Sequence, residues 1–143
     1  MIDRFADEYA FLSNFYEVPV TYNSLTFKSS EAAFQAQKCT ERSKEFTALS
    51  ASQAKRLGRH VNLRADWEDI KLQEMEKIVT AKFKQNPDLM QKLIFTGDEE
   101  LIEGNTWHDT YWGVCKGIGE NHLGKILMEI REKYSHTKQK HIK

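Results

Sequence analysis

The sequence predicts an α+β protein, a mainly helical domain with a small β-sheet or hairpin. Apolar residues recur at steps of three and four in two long segments, which is the spacing of a helix with one buried face. One early segment combines β-branched and aromatic residues around a turn. Strand and helix patterns do not alternate regularly along the chain, which disfavours a parallel sheet with crossover helices.

Residues 18–28 predict the hairpin. β-branched and aromatic residues flank the turn-prone pair Asn23 and Ser24. We therefore expect strands over residues 18–22 and 25–28. Pro19 cannot donate a ladder hydrogen bond, so the first strand is expected at an edge.

Helices are predicted to fill the chain from the hairpin to Pro87. Ser29 or Ser30 is a suitable N-cap for the first helix, which extends to about Cys39. Two shorter helices follow over residues 41–49 and 52–57, and Gly58 ends the second. The long helix over residues 67–85 has an apolar stripe made of Leu72, Met75, Val79 and Phe83.

The last third predicts two more helices and two short strands. Asn86-Pro87 separates the long helix from a helix over residues 88–95. Residues 101–104 and 111–114 are candidate strands. The final helix is predicted over residues 121–134, and its core face consists of Leu123, Ile126, Leu127, Ile130 and Tyr134.

Size and composition limit the class of protein. The chain has 143 residues without repeats or a low-complexity linker, so we expect one domain over residues 1–134 and a basic tail over residues 135–143. Basic and acidic residues number 21 each, and a zero net charge favours neither long nucleic-acid tracts nor a membrane surface. Two distant Cys and no zinc-like spacing predict reduced thiols, no metal and no cofactor. Without a signal core or a long apolar run, the expected location is cytoplasmic.

Two polar segments are candidates for a site. Glu31, Gln35 and Lys38 lie at i, i+4 and i+7, so they share one face of the first helix. A solvated helix face would explain them equally well. The second segment, residues 105–113, combines Trp107, Trp112, Tyr111, His108 and Asp109. Aromatic faces beside an acid suit a pocket that stacks a flat ring and handles a proton, whereas the alternative is a turn whose rings fill the core.

An ordered set of segments closely resembles the NADAR, or YbiA-like, family. The resemblance covers about Phe11 to Tyr134, and its pieces are Phe11–Tyr16, Ser30–Lys38, Gly117–Asn121 and Leu127–Arg131. It implies an N-glycosidase that acts on ribosylated substrates, either riboflavin-pathway intermediates or ADP-ribosylated guanine. Cys115 and Lys116 depart from the family pattern, since relatives often have another glycine there, and this weakens the assignment of the glycine loop.

Three residues are candidate catalytic residues, and the resemblance supports Glu31 and Lys38, which stand where the family motif has a Glu and a Lys. Glu31 is expected to stabilise the positive charge of an oxocarbenium-like transition state or to activate water. Asp109 would protonate the departing nitrogen or hold ribose hydroxyls, and its alternative is a turn residue that bonds its own backbone. Lys38 is favoured as a clamp for a phosphate or ribose hydroxyl over a nucleophile for an opened ribose.

The substrate-binding residues expected from the resemblance and from the residue types are Asn14, Phe15, Gln35, Arg59, Trp107, Trp112, Gly113, Gly119 and Asn121. Trp107 and Trp112 would stack the base, and Arg59 belongs to a basic cluster that could contact a phosphate. The expected partner is a small phosphoribosyl or ADP-ribosyl molecule, with single-stranded nucleic acid carrying ADP-ribosyl guanine as a second candidate and no membrane. A non-catalytic ADP-ribose sensor is the alternative outside enzymes.

Overall fold

The computed structural model describes residues 1–142, with side chains over residues 1–135. The chain forms two compact units: the first unit is Asn14–Gln85, and the second unit is Met1–Ser13 with Asn86–Lys143. Helices make up most of the regular structure in both, which confirms the predicted α+β class. In the part of the chain that is described, no helix combines the length and apolarity needed to cross a membrane.

A short hairpin begins the first unit. Strands β1 (Val20–Tyr22) and β2 (Leu25–Phe27) pair antiparallel, with Val20 opposite Phe27. The turn residues Asn23 and Ser24 have φ of 49° and 68°. Two residues with positive φ are what a type I′ turn requires, and this turn fits the natural twist of a hairpin.

Three α-helices complete the first unit. They are α1 (Ser30–Ala36), α2 (Ala51–Gly58) and α3 (Trp67–Gln85), and a 3₁₀ helix (Thr40–Ala48) lies between α1 and α2. The Phe34 and Trp67 rings pack with centroids 5.0 Å apart, which joins α1 to the start of α3. Further along, α3 buries Met75, Ile78, Val79 and Phe83 at helical spacing.

The second unit contains two helices and a minimal parallel sheet. Helix α4 (Pro87–Phe95) packs against α5 (His122–Ile142), and a 3₁₀ helix covers Asp7–Leu12. Strands β3 (Gly104–Asn105) and β4 (Val114–Cys115) pair in parallel. The core here is mainly aliphatic, with Phe11 also buried, and includes Leu89, Leu93, Leu101, Leu123, Ile126, Leu127 and Ile130.

Several predicted elements differ from the structure in type or extent. The helix predicted over residues 41–49 is a 3₁₀ helix over Thr40–Ala48. The Ser43 and Thr47 hydroxyls donate to carbonyls three residues earlier, at 2.9 and 2.8 Å, which competes with regular α-helical bonding. The first helix ends at Ala36, so it does not reach Cys39. Leu72 is 37% exposed, and that end of α3 buries Trp67 in its place.

The predicted strands after residue 100 are shorter than expected. Leu101 forms a bridge with Ile2, a pairing that links the chain start to a distant segment and leaves no periodic signal. The last helix begins at His122 and continues to Ile142, beyond the expected end at residue 134. Side chains of the predicted basic tail after Ser135 lie outside the described residues, and the expected boundary at residue 134 stays a prediction.

Candidate functional site

Helix α1 is a short, fully buried helix anchored at both its start and its side. Ser29 caps it, with its Oγ accepting from the Ala32 backbone N–H at 3.1 Å. Asn14 supports the same end, because its backbone carbonyl accepts from Glu31 N at 3.0 Å and its Oδ1 accepts from Ser30 Oγ at 2.8 Å. The Asn14 amide also approaches the Met75 sulfur at 3.3 Å. These contacts tie the first turn of α1 to the loop before the hairpin and to α3.

Glu31 and Gln35 form a buried pair one helical turn apart. Their residues are 8% and 6% exposed, and Gln35 Nε2 donates to Glu31 Oε2 at 2.7 Å. The solvated-face alternative is therefore wrong for these two residues. A carboxylate accepting a short hydrogen bond in a water-poor setting has a defined orientation, which suits it to face a developing positive charge.

Lys38 lies two residues beyond the end of α1 and is half-buried. Burial lowers the pKa of its ammonium, the Glu31 carboxylate raises it, and the cations Arg59, Lys71 and Lys55 lower it further. We call Lys38, Lys55, Arg59 and Lys71 the basic group. The other three cations repel the Lys38 ammonium, and Lys71 is also ion-paired with Glu68 Oε2 at 2.7 Å. A cluster of cations around one ammonium favours an anionic ligand such as a phosphate.

Phe15 and Arg59 border this region with exposed side chains. Phe15 is 44% exposed, and Lys55 Nζ lies 5.6 Å from its ring centroid, within cation–π range. Arg59 follows directly after α2 and is exposed. All the predicted site residues numbered below 60 thus belong to the first unit, and Glu31, Gln35, Lys38 and Arg59 are linked there by contact or charge.

The remaining predicted residues belong to the second unit, where an aromatic group surrounds the start of α5. We define the aromatic group as Tyr111, Trp112 and His122. Tyr111 meets Trp112 edge-on, with centroids 4.7 Å apart at 89°, and lies 4.5 Å from the His122 ring. Trp112 is partly exposed, whereas Trp107 is 57% exposed. Stacking a base would require one face of the Trp112 indole to be accessible. The stacking role of Trp112 stays a prediction.

Asp109 organises a turn. Its Oδ1 accepts from the backbone N–H groups of Tyr111 at 3.2 Å and Trp112 at 2.9 Å. Asn105 closes the same loop, since its side chain accepts from Asp109 N at 3.1 Å and donates to Asp109 O at 2.9 Å. His108 between them has φ of 65°. These bonds favour the turn interpretation of Asp109, and its role as an acid stays a prediction.

Gly113, Gly119 and Asn121 serve the backbone packing of this loop. A Cβ on Gly113 would lie 1.8 Å from Glu103 Oε2, and one on Gly119 would lie 2.1 Å from the Gly113 carbonyl oxygen. The Asn121 amide is used at both ends, accepting from Glu103 N at 3.0 Å and donating to Leu101 O at 3.0 Å. Their predicted contact with substrate is untested, whereas their contacts within the fold are explicit.

Sequence reasoning missed three residues in the first unit. Lys71 is on the polar face of α3, where nothing in the sequence distinguishes it from its neighbours. Gly58 was expected only to end a helix, yet it lies against the Gln35 amide. Lys82 is fully buried, and burial lowers its pKa to about 7. Its position three residues after Val79, on the buried face of α3, was the available signal.

Comparisons with known proteins agree with this architecture. The family model of the NADAR domain matches residues 3–135. The N-glycosidase YbiA of Escherichia coli (strain K12) is 39% identical over 133 residues, which are 89% of this chain and 82% of that protein. The NMR structure of the E. coli protein YbiA has a TM-score of 0.83 and 36% identity, covering 97% of this chain and 89% of that one.

A third relative is longer. The riboflavin biosynthesis protein VVA0006 of Vibrio vulnificus (strain YJ016) is 41% identical over 132 residues, which are 88% of this chain and 36% of that protein. The chain therefore spans about a third of this relative's length. The chain belongs to the NADAR family. Relatives named N-glycosidases support a hydrolase that acts on N-glycosidic bonds.

Proposed function

We propose that this protein hydrolyses the C–N bond between a phosphorylated ribose and a base or amine, with water as the acceptor. A riboflavin-pathway intermediate is the favoured substrate, supported by the names of the Vibrio relative and of the N-glycosidases. ADP-ribosyl conjugates are the second substrate class, including ADP-ribosyl guanine in single-stranded nucleic acid.

The observation that carries the proposal is the buried Glu31 carboxylate beside the basic group. Breaking a ribosyl C–N bond develops positive charge on the sugar carbon and its ring oxygen. A fixed carboxylate stabilises that charge most strongly where water is excluded. The attacking water reaches the sugar carbon from the face opposite the departing base. Glu31, on the same face as this water, accepts its proton.

The charge of the basic group matches that of a phosphorylated substrate. A phosphate on the ribose brings negative charge, which matches the cations around Lys38. Binding that anion would also raise the pKa of Lys38 again, because a nearby negative charge favours the ammonium form. Glu31 alone would suit many glycosides, whereas the basic group favours those that carry phosphate.

Other residues have supporting roles in the proposal. Asn14 fixes the first turn of α1, Phe15 offers an exposed ring, and Trp112 is the candidate stacking surface for a base. Asp109 is kept as a candidate acid for the departing nitrogen. Trp107, Gly113, Gly119 and Asn121 stay candidate substrate contacts.

Product analysis on three substrates tests the proposal. The protein is incubated separately with a phosphoribosylamino-pyrimidine, with ADP-ribosylated guanosine and with single-stranded DNA that carries ADP-ribosyl guanine. Release of ribose 5-phosphate from the first supports the favoured substrate class. Release of ADP-ribose from the second or third would show that the protein hydrolyses ADP-ribosyl conjugates. Tight binding of ADP-ribose without any product would overturn hydrolysis and leave a sensor.

A further inference from the structure

The backbone conformation at position 58 does not require glycine. Gly58 is the last residue of α2, and it is absent from the residues with positive φ. Alanine is the better helix former at such a position. The reason for glycine must therefore be space.

The space that a side chain would need at Gly58 is occupied by Gln35. A Cβ built there would lie 1.9 Å from Gln35 Oε1 and 2.8 Å from Gln35 Cδ. Real Cβ atoms do not approach other heavy atoms so closely, so the amide would have to move. Gln35 is 6% exposed and tightly surrounded, which leaves it little room to do so.

The Gln35 amide has one end bonded and one end without a partner. Its Nε2 donates to Glu31 Oε2 at 2.7 Å, whereas its buried Oε1 has no hydrogen-bond partner. Buried acceptors are nearly always satisfied, so an orphan needs an explanation. Turning the amide over would bring its carbonyl oxygen against the Glu31 carboxylate, which is repulsive. The carboxylate thus orients the amide, and the bare surface of Gly58 accommodates the carbonyl.

We propose that Gly58 is a positioning residue, whose missing side chain lets Gln35 hold the Glu31 carboxylate in its working orientation. The inference rests on the proposed function, because Glu31 is the group that is positioned. Gly58 lies against the Gln35 amide, which in turn donates to the Glu31 carboxylate. Its effect passes through the Gln35 amide, and a shift of that amide displaces or frees the carboxylate.

Gly58→Ala tests this inference. We expect kcat to fall at least about tenfold with KM nearly unchanged, because misplacing a reacting group acts mainly on the transition state. In ¹⁵N NMR spectra, the side-chain NH₂ signals of Gln35 should shift, and in ¹³C spectra the pH titration of the Glu31 carboxyl should change. Ser52→Ala on the exposed face of α2 is the matched control and should change none of these.

The double variant Gly58→Ala with Gln35→Ala separates positioning from general packing. If Gly58 acts through Gln35, the double variant has the same kcat as Gln35→Ala alone, whereas independent effects multiply. Removing the amide also relieves the clash, so the double variant should fold even where Gly58→Ala does not. A double variant that still fails to fold overturns the inference, as do an unshifted Gln35 signal and an unchanged kcat in folded Gly58→Ala. Shifted NMR signals alongside a fully active Glu31→Gln variant would instead preserve the positioning and overturn the proposed function.

Discussion

The α1 region and the loop over residues 103–121 use the same types of polar side chain in opposite ways. On α1, Glu31 and Gln35 are buried and bond each other. In the loop, the side chains of Asn105, Asp109 and Asn121 bond backbone N–H and carbonyl groups. A helix satisfies its own interior backbone, so its side chains are available for chemistry, whereas an irregular loop needs side chains to satisfy its backbone. The hydrogen bonds therefore favour Glu31 on α1 as the candidate catalytic carboxylate and give Asp109 in the loop a structural contact.

Glu31→Gln should reduce activity most, because Glu31 is the proposed charge-stabilising carboxylate on α1. The substitution keeps the shape and removes the charge, so kcat should fall on the order of 10²-fold or more, about 3 kcal/mol of transition-state stabilisation. KM should change much less, because the charge interaction matters mainly in the transition state. Steady-state kinetics and a thermal melt measure both effects.

Glu41→Gln is the matched control, since Glu41 is an exposed carboxylate on the 3₁₀ helix that follows. It should leave kcat unchanged. A folded Glu31→Gln protein with the kcat of the control would remove Glu31 from the mechanism and leave Asp109 as the leading carboxylate.

The first unit also buries a cation, Lys82, and its burial costs stability. Its pKa is about 7 in the folded protein against 10.5 in an exposed chain, so the unfolded chain binds more protons between these values. The free energy of unfolding should therefore rise with pH across this window, and the penalty is complete below pH 7. Lys82→Met should stabilise the protein at pH 7 by roughly 2–4 kcal/mol.

Chemical denaturation at pH 7 and pH 9.5 checks the Lys82 prediction. The gain from Lys82→Met should shrink at the higher pH, because Lys82 is then neutral in the folded protein. Lys77→Met, at an exposed position on α3, is the control and should show no such dependence. A variant less stable than the wild type at both pH values would mean that contacts with the Tyr16 and Phe83 rings outweigh the burial cost.

Periodic patterns in the sequence predicted what depends on local spacing. Spacing predicted the long helix over residues 67–85 and the shared face of Glu31 and Gln35, and the structure contains both. Turn chemistry predicted the hairpin turn at Asn23 and Ser24, which is also present. The family resemblance supplied the reaction class, which no pattern could have shown.

Long-range pairings and close approaches were not predictable from spacing. The bridge between Ile2 and Leu101, and the contact between Gly58 and Gln35, join residues far apart in the chain. The burial of Lys82 depends on what surrounds α3, although its place on the apolar face was visible. Asp109 could be read either as an acid or as a turn residue until its hydrogen bonds were known.

Substitutions of Trp112 test whether the loop over residues 103–121 binds a base, and their expected effect is smaller than that of Glu31→Gln. If the indole ring stacks a base, Trp112→Ala should weaken ligand binding by roughly 1–3 kcal/mol, and Trp112→Phe should retain much of the affinity. Isothermal titration calorimetry gives the affinities, and thermal melts give the stabilities. Equal destabilisation by both substitutions, without a specific loss of binding, would make Trp112 a packing residue against Tyr111.

Asp109→Asn should change activity least, and its result decides between a turn residue and a catalytic acid. Asparagine keeps an Oδ1 acceptor for the backbone N–H groups of Tyr111 and Trp112, so the turn should survive. It removes the carboxyl group that an acid would need. If Asp109 only holds the turn, kcat should change by less than about threefold, under 1 kcal/mol.

Asp109→Ala completes this test, because it removes the acceptor as well as the charge. Losing hydrogen bonds to partly buried N–H groups should cost about 1–3 kcal/mol of stability, which a denaturation curve resolves. A structural Asp109 thus predicts a stable, active asparagine variant beside a destabilised alanine variant. The reverse result, in which the asparagine variant folds as well as the wild type but loses activity about 10²-fold, would restore Asp109 as the acid. In that case the loop would contribute a reacting group, even though Asp109 also accepts hydrogen bonds from its backbone.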